Sequence, residues 1–193
     1  MNKTKKSVFL LITAILFLST CKKKDINPID QLPPETQEGK RTFGCLVNGK
    51  AFIPKGTFLG PPSLVSTYQA LVEGNEFKGY SFRLAASRHE EGGAVRSIGL
   101  FTYDLEIHQG EKYSLDTAFI HGTAYGQYAV FDIYNTGINE YVTNGKIHTG
   151  ELWIKKFDPV RQIVAGTFWF DAINQKGEKV EVREGRFDLY FTY

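Results

Sequence analysis

Near the C-terminus two stretches alternate in polarity every second residue, and that period constrains the fold more than any other feature. In Val164-Ala165-Gly166-Thr167-Phe168-Trp169-Phe170-Asp171, the residues Val164, Phe168 and Phe170 share one parity. Ala165, Thr167, Trp169 and Asp171 take the other. From Arg186 onward, Phe187, Leu189, Phe191 and Tyr193 alternate with Arg186, Asp188, Tyr190 and Thr192. Successive side chains of a strand point to opposite faces, so a strand buried on one face carries this pattern and a helix does not. Turn formers punctuate the chain at Asn48-Gly49, Gly74-Asn75, Gly92-Gly93, Asn144-Gly145 and between Asn174 and Gly177. Strands are expected near 42–47, 51–54, 66–73, 79–87, 95–107, 112–115, 125–134, 146–157, 162–173, 179–183 and 186–193. Between Pro62 and Val72 the pattern is mixed. Leu64, Tyr68 and Leu71 fall at helical spacing, whereas Val65, Thr67 and Val72 favour a strand, which is the reading taken. The expectation is a single all-β domain over residues 42–193, an antiparallel β-sandwich or flattened β-barrel. A chain of that length buries enough surface for one core.

The first twenty residues have a different grammar. Lys3, Lys5 and Lys6 precede an apolar run from Val8 to Leu18, broken only by Thr13, and Leu18-Ser19-Thr20-Cys21 closes the segment. Basic, apolar and cleavage regions in that order make an export signal. The run is too short for a permanent span, which needs about 20 apolar residues. Leu18-Ser19-Thr20-Cys21 resembles the lipobox, with Thr20 where Gly, Ala or Ser is commoner. The resemblance implies that the Cys21 thiol is acylated and becomes the first residue after cleavage. Residues 21–41 then form the tether: Lys22-Lys23-Lys24-Asp25, followed by Pro28, Pro33 and Pro34, with little to bury. Such composition favours an extended or disordered chain.

Charge follows from this division. The full chain carries 23 basic and 21 acidic residues. Removing the signal takes away three lysines and no acid, and removing 22–41 takes away five basic and four acidic groups. Residues 42–193 therefore hold 15 basic against 17 acidic groups, net −2. Nucleic-acid binding requires a positive field, so that partner class is excluded. With Cys21 acylated, Cys45 has no disulfide partner, and its apolar setting in Phe43-Gly44-Cys45-Leu46-Val47 reads as a buried, inert thiol.

Leu32-Pro33-Pro34-Glu35-Thr36-Gln37-Glu38-Gly39 with Thr42-Phe43-Gly44-Cys45-Leu46-Val47-Asn48-Gly49-Lys50 resembles the start of a family of bacterial envelope lipoproteins containing a domain of unknown function. Gly166-Thr167-Phe168-Trp169-Phe170 and Glu184-Gly185-Arg186-Phe187-Asp188 resemble its C-terminal signatures. The resemblance implies an envelope location and an all-β domain, and carries over no catalytic residue.

Several constellations bear on function. If the last strands pair, Trp169 and Tyr190, on the polar parity, form an aromatic platform flanked by Asp171 and Asp188, suited to a sugar. Asp104, Glu106 and His108 alternate with Tyr103, Leu105 and Ile107, so on a strand they line one face as weak candidates for a zinc or manganese site. His89-Glu90-Glu91-Gly92-Gly93 reads as an exposed hairpin tip, and His121 and His148 stand alone. Glu151, Asp171, Glu184 and Asp188 are candidate carboxylates for glycoside chemistry, which needs two of them about 5–9.5 Å apart. Asp116-Thr117-Ala118 resembles a short acceptor motif for periplasmic O-glycosylation, with Thr117 as acceptor. There is no nucleophile elbow and no phosphate-cradling loop, and no cofactor is expected. The leading expectation is a non-enzymatic, membrane-anchored lipoprotein that binds a glycan or envelope protein or serves structurally. Its rival is a glycan-directed hydrolase whose carboxylates meet only in the fold. The lysine run after Cys21 favours the periplasmic side of the outer membrane.

Overall fold

Several hairpins turn at residues with a positive φ. Asn48 (φ 48) and Gly49 (φ 75) turn strand β1 (Thr42–Val47) into β2 (Lys50–Phe52), the paired left-handed geometry of a tight two-residue hairpin. At the far end of the chain, Asn174 Oδ1 accepts from the Lys176 and Glu178 amides and shapes the turn between β10 (Ile163–Ile173) and β11 (Lys179–Tyr190). Between them lie β3 (Leu64–Glu73), β4 (Glu76–His89), β5 (Val95–Tyr103), β6 (Lys112–Ser114), β7 (Tyr128–Tyr134), β8 (Ile138–Val142) and β9 (Gly150–Asp158). This computed structural model describes residues 26–57, 60–117, 126–145 and 147–193.

All strand pairs are antiparallel, and the sheet branches at β10. Along Ile163–Phe170, β10 pairs with β9, which carries β6; at Ile173 it meets Val142 of β8. One layer thus runs β2-β1-β11-β10-β9-β6, and the other runs β8-β7-β5-β4-β3. Beyond β11 the chain bridges to the edge of the second layer, where the Tyr68 amide donates to the Thr192 carbonyl at 2.8 Å. The sheet does not close, and the result is a β-sandwich around one core. Phe43, Phe82, Leu84, Leu100, Leu152 and Phe170 are fully or almost fully buried in it. Among the described residues no helix is long and apolar enough to cross a membrane.

The strand expectations differ from the structure in places with local causes. The segment from Leu64 is a strand. The expected strand 95–107 stops at Tyr103, because Asp104 adopts φ 55. The expected breaks between 179–183 and 186–193 vanish into one strand, with Glu184 at φ 54 in an irregularity of register. Strand β8 was not foreseen, since Ile138-Asn139-Glu140-Tyr141-Val142 is short and half polar.

The segment expected to be a free tether is folded from Asn27 onward, a correction to the sequence reading. Asn27 Oδ1 accepts from the Ile29 amide and opens a 3-10 turn at Pro28–Gln31. Leu32 is buried, and Pro33 packs where a Cβ on Gly44 would sit, 2.6 Å from its Cδ. Asp188 then receives four hydrogen bonds: Thr36 Oγ1 at 2.6 Å and the amides of Glu38, Gly39 and Lys40 at 3.0, 2.7 and 3.1 Å. Gly39 has φ 78 and lies under the Tyr190 ring.

Candidate binding cleft around Trp169

Strands β9, β10 and β11 build a cleft on the outer face of the first layer. Phe168 and Phe170 point into the core, so Trp169 points out and is 38% exposed. Register places Glu151 opposite Trp169, and Trp153 and Arg186 on either side of Thr167. The two tryptophans, the only two in the chain, are therefore diagonal neighbours on adjacent strands, the spacing at which large side chains interact. The Arg183 guanidinium lies 5.4 Å from the Trp169 ring centroid and donates to Asp171 at 2.6 Å. Lys112 and Lys155 cover Trp153 at 5.0 and 4.6 Å, and both are cation–π geometries.

The charges around the cleft are paired. Glu151 holds Lys112 at 2.9 Å, Glu184 holds Arg186 at 3.2 Å, and Glu35 of the docked N-terminal segment holds Lys155. Glu35, Glu151, Lys155, Glu184, Gly185 and Arg186 line an open cleft of about 330 Å³ beside Trp169. Gly185 is required here, since a Cβ would lie 2.5 Å from the Phe168 carbonyl oxygen. Paired ions hold their side chains in fixed positions, leaving a flat indole framed by donors and acceptors.

Not all of the expected platform assembles. Tyr190 pairs with Ile163, six residues along β10 from Trp169, which at strand rise is about 20 Å. The Trp169–Tyr190 platform is corrected: Tyr190 is exposed but covers Gly39, and Trp153 takes its place beside Trp169. Asp188 is 0% exposed and wholly engaged with the N-terminal segment, so it does not face a ligand. Burial acts to raise its pKa, but the hydrogen bonds from Thr36 and from the Glu38, Lys40 and Gly39 amides outweigh burial and hold it below the ordinary value. Asp171 stays at the cleft's margin, paired with Arg183.

Asp104, Glu106 and His108 are exposed but lie beyond the end of β5, and no metal-holding group of three or more such side chains exists among the described residues. The hydroxyl of Thr117 accepts from the Gln127 amide at 3.2 Å. Ala118 of that motif, His121 and Cys21 lie outside the described residues. His89 is the last residue of β4 and Glu90 to Ala94 form the β4–β5 turn, with Glu90 Oε1 accepting from Arg88 at 3.2 Å. His148 is buried. Cys45 is fully buried, and burial pushes its thiol far above the ordinary value, which makes it unreactive.

One group was missed. Asp132 sits within Tyr128-Ala129-Val130-Phe131-Asp132-Ile133-Tyr134 and is 7% exposed, with Oδ1 lacking a partner. Burial pushes its pKa up to about 6, against the Tyr134 hydroxyl that donates to Oδ2. A lone acid inside an apolar strand was the available signal.

Compared with protein-family models, curated proteins and solved structures, the chain matches none.

Proposed function

We propose that this chain is a lipid-anchored protein of the bacterial envelope whose β domain binds a carbohydrate in the Trp169 cleft. The anchor reading rests on the signal and Leu18-Ser19-Thr20-Cys21. The binding reading rests on one observation, an outward indole framed by ion pairs and adjoining a second tryptophan. Sugar rings present apolar C–H faces and polar edges. A rigid aromatic face covers the former at little entropy cost, while Glu151, Arg183 and Arg186 meet the latter. The outer membrane, on its periplasmic side, is the location that Lys22-Lys23-Lys24 favours.

The docked segment changes the length of the leash. Six peptide steps separate Cys21 from Asn27, so the body hangs within about 20 Å of the lipid rather than the 60 Å that a fully extended 20-residue tether would span.

Two experiments test these readings. Radiolabelled palmitate is expected in the wild type and absent from Cys21→Ala; label retained in that variant ends the anchor reading. Titration calorimetry against peptidoglycan fragments, chito-oligosaccharides and cello-oligosaccharides is expected to find one binder. Trp169→Ala is then expected to weaken it by tenfold or more, about 1.4 kcal/mol. A folded wild type that binds none of the panel ends the carbohydrate reading.

A second reading, a glycan-directed hydrolase, draws on one observation: Glu151 and Glu184 both line the cleft. Glycoside cleavage requires one carboxyl as acid and the other as base or nucleophile. Release of reducing ends from the bound glycan, abolished by Glu151→Gln or Glu184→Gln, separates hydrolysis from binding.

A further inference from the structure

A second cavity, of about 640 Å³, opens between the two layers at the end of the sandwich where the β1–β2 and β4–β5 turns meet. It shares no residue with the Trp169 cleft. Its floor is apolar: Val47 from one layer, Phe131 and Ile133 from the other. Its rim is basic: Lys50, Lys55, Arg88, His89 and Arg96 converge from three separate segments. The concentration is not a by-product of composition, since residues 42–193 carry more acid than base. Open ends of β sandwiches and barrels are common ligand sites, and the volume is of ordinary ligand size.

Backbone pairing fixes the cations. The Lys55 amide donates to the Ser87 carbonyl at 3.1 Å, and the His89 amide donates to the Lys55 carbonyl at 2.9 Å. This ties the β2 side of the mouth to the end of β4. Arg88 donates from Nη1 to the Ile53 carbonyl at 3.0 Å, and its Nε shares Glu90 Oε1 with Arg96, at 3.2 and 3.6 Å. One carboxylate thus positions two guanidiniums without using up their donors. Lys50 and Lys55 have no ion-pair partner among the described residues. Four full positive charges face Glu90 and Glu91, an excess of two.

We propose that this mouth binds a phosphate monoester carried on an apolar stem. The excess of two matches a dianionic head better than a single carboxylate, and the Val47–Phe131–Ile133 floor receives the stem. Arginine donors suit phosphate oxygens, whereas the free lysines supply charge.

The test is calorimetry on the folded protein with octyl phosphate, octanoate, octanol and inorganic phosphate. Octyl phosphate is expected to bind best, about tenfold or more above octanoate and inorganic phosphate, with affinity falling as salt rises. Lys50→Glu combined with Lys55→Glu is expected to abolish binding. Both side chains are exposed, so thermal melting should stay unchanged and report an intact fold. Should that variant fail to fold, Arg96→Gln, also exposed, is expected to weaken octyl phosphate by about tenfold. Equal affinity for octanol and octyl phosphate, no saturation at concentrations on the order of 10⁻³ M, or binding indifferent to these substitutions overturns the proposal.

Discussion

Asp188→Ala is expected to lower stability by about 3 kcal/mol and to release residues 27–41 from the sheet. Hydrogen bonds to a charged group are each worth about 1.5–3 kcal/mol, and removing one partner leaves the others unsatisfied. Here one carboxylate serves Thr36 Oγ1 and three consecutive amides. The loss stays below the sum because the freed segment lifts off and its amides find water. For a domain of this size the melting temperature should fall by about 6–12 °C. Limited trypsin digestion gives the second readout: Lys40 and Arg41, adjoining the pinned amides, should be cut far faster in the variant. A wild-type rate of cleavage there would show that Asp188 is not what holds the segment.

The same carboxylate sets a pH dependence. Its folded pKa lies below the ordinary value, so its contribution is fully present above the unfolded carboxylate pKa of about 4 and fades as pH falls through the folded value. The stability gap between wild type and Asp188→Ala should therefore be widest near neutrality and narrow in acid. A gap that widens on acidification contradicts the assignment.

Phe170→Ala carries a comparable or larger cost, about 3–5 kcal/mol. Phe170 is 0% exposed and stands between Gly150 and Val182 on the neighbouring strands. Gly150 has no side chain to fall into the space, and a Cβ there would already lie 2.5 Å from the Phe170 Cβ. The cavity should therefore stay open. Denaturant midpoints measure the loss, and a change under about 1 kcal/mol would mean that the core repacks around the missing ring. The adjacent Trp169 faces the other way, so the proposed carbohydrate binding should be unaffected in the folded fraction.

Much of the layout could be read from residue order alone. Asn48-Gly49 marked the first hairpin because its geometry demands positive φ at both positions. The parity of Phe168 and Phe170 against Trp169 marked which face is buried. Other features resisted such reading. Alternation puts Asp188 and Tyr190 outward together, which is correct for the sheet, but it carries no information about what covers that outer face. Asp188 is buried because a segment about 150 positions earlier in the chain folds over it. The order Leu152-Trp153-Ile154 does not say which aromatic stands beside Trp153, because that is fixed by its register with Thr167 across the β9–β10 pair. Strand β8 has no pattern of its own and exists because Ile173 and the edge of β7 pair with it.

Local chemistry was thus enough to specify strands, turns and the buried parity, since these depend on backbone geometry and on neighbours one or two residues away. Which polar groups end up sealed, which aromatic stands beside which, and how the segment from Asn27 docks on the sheet depend on contacts between distant parts of the chain. Those are settled when the layers pack, because a carboxylate or an indole takes its chemical character from the atoms that finally surround it.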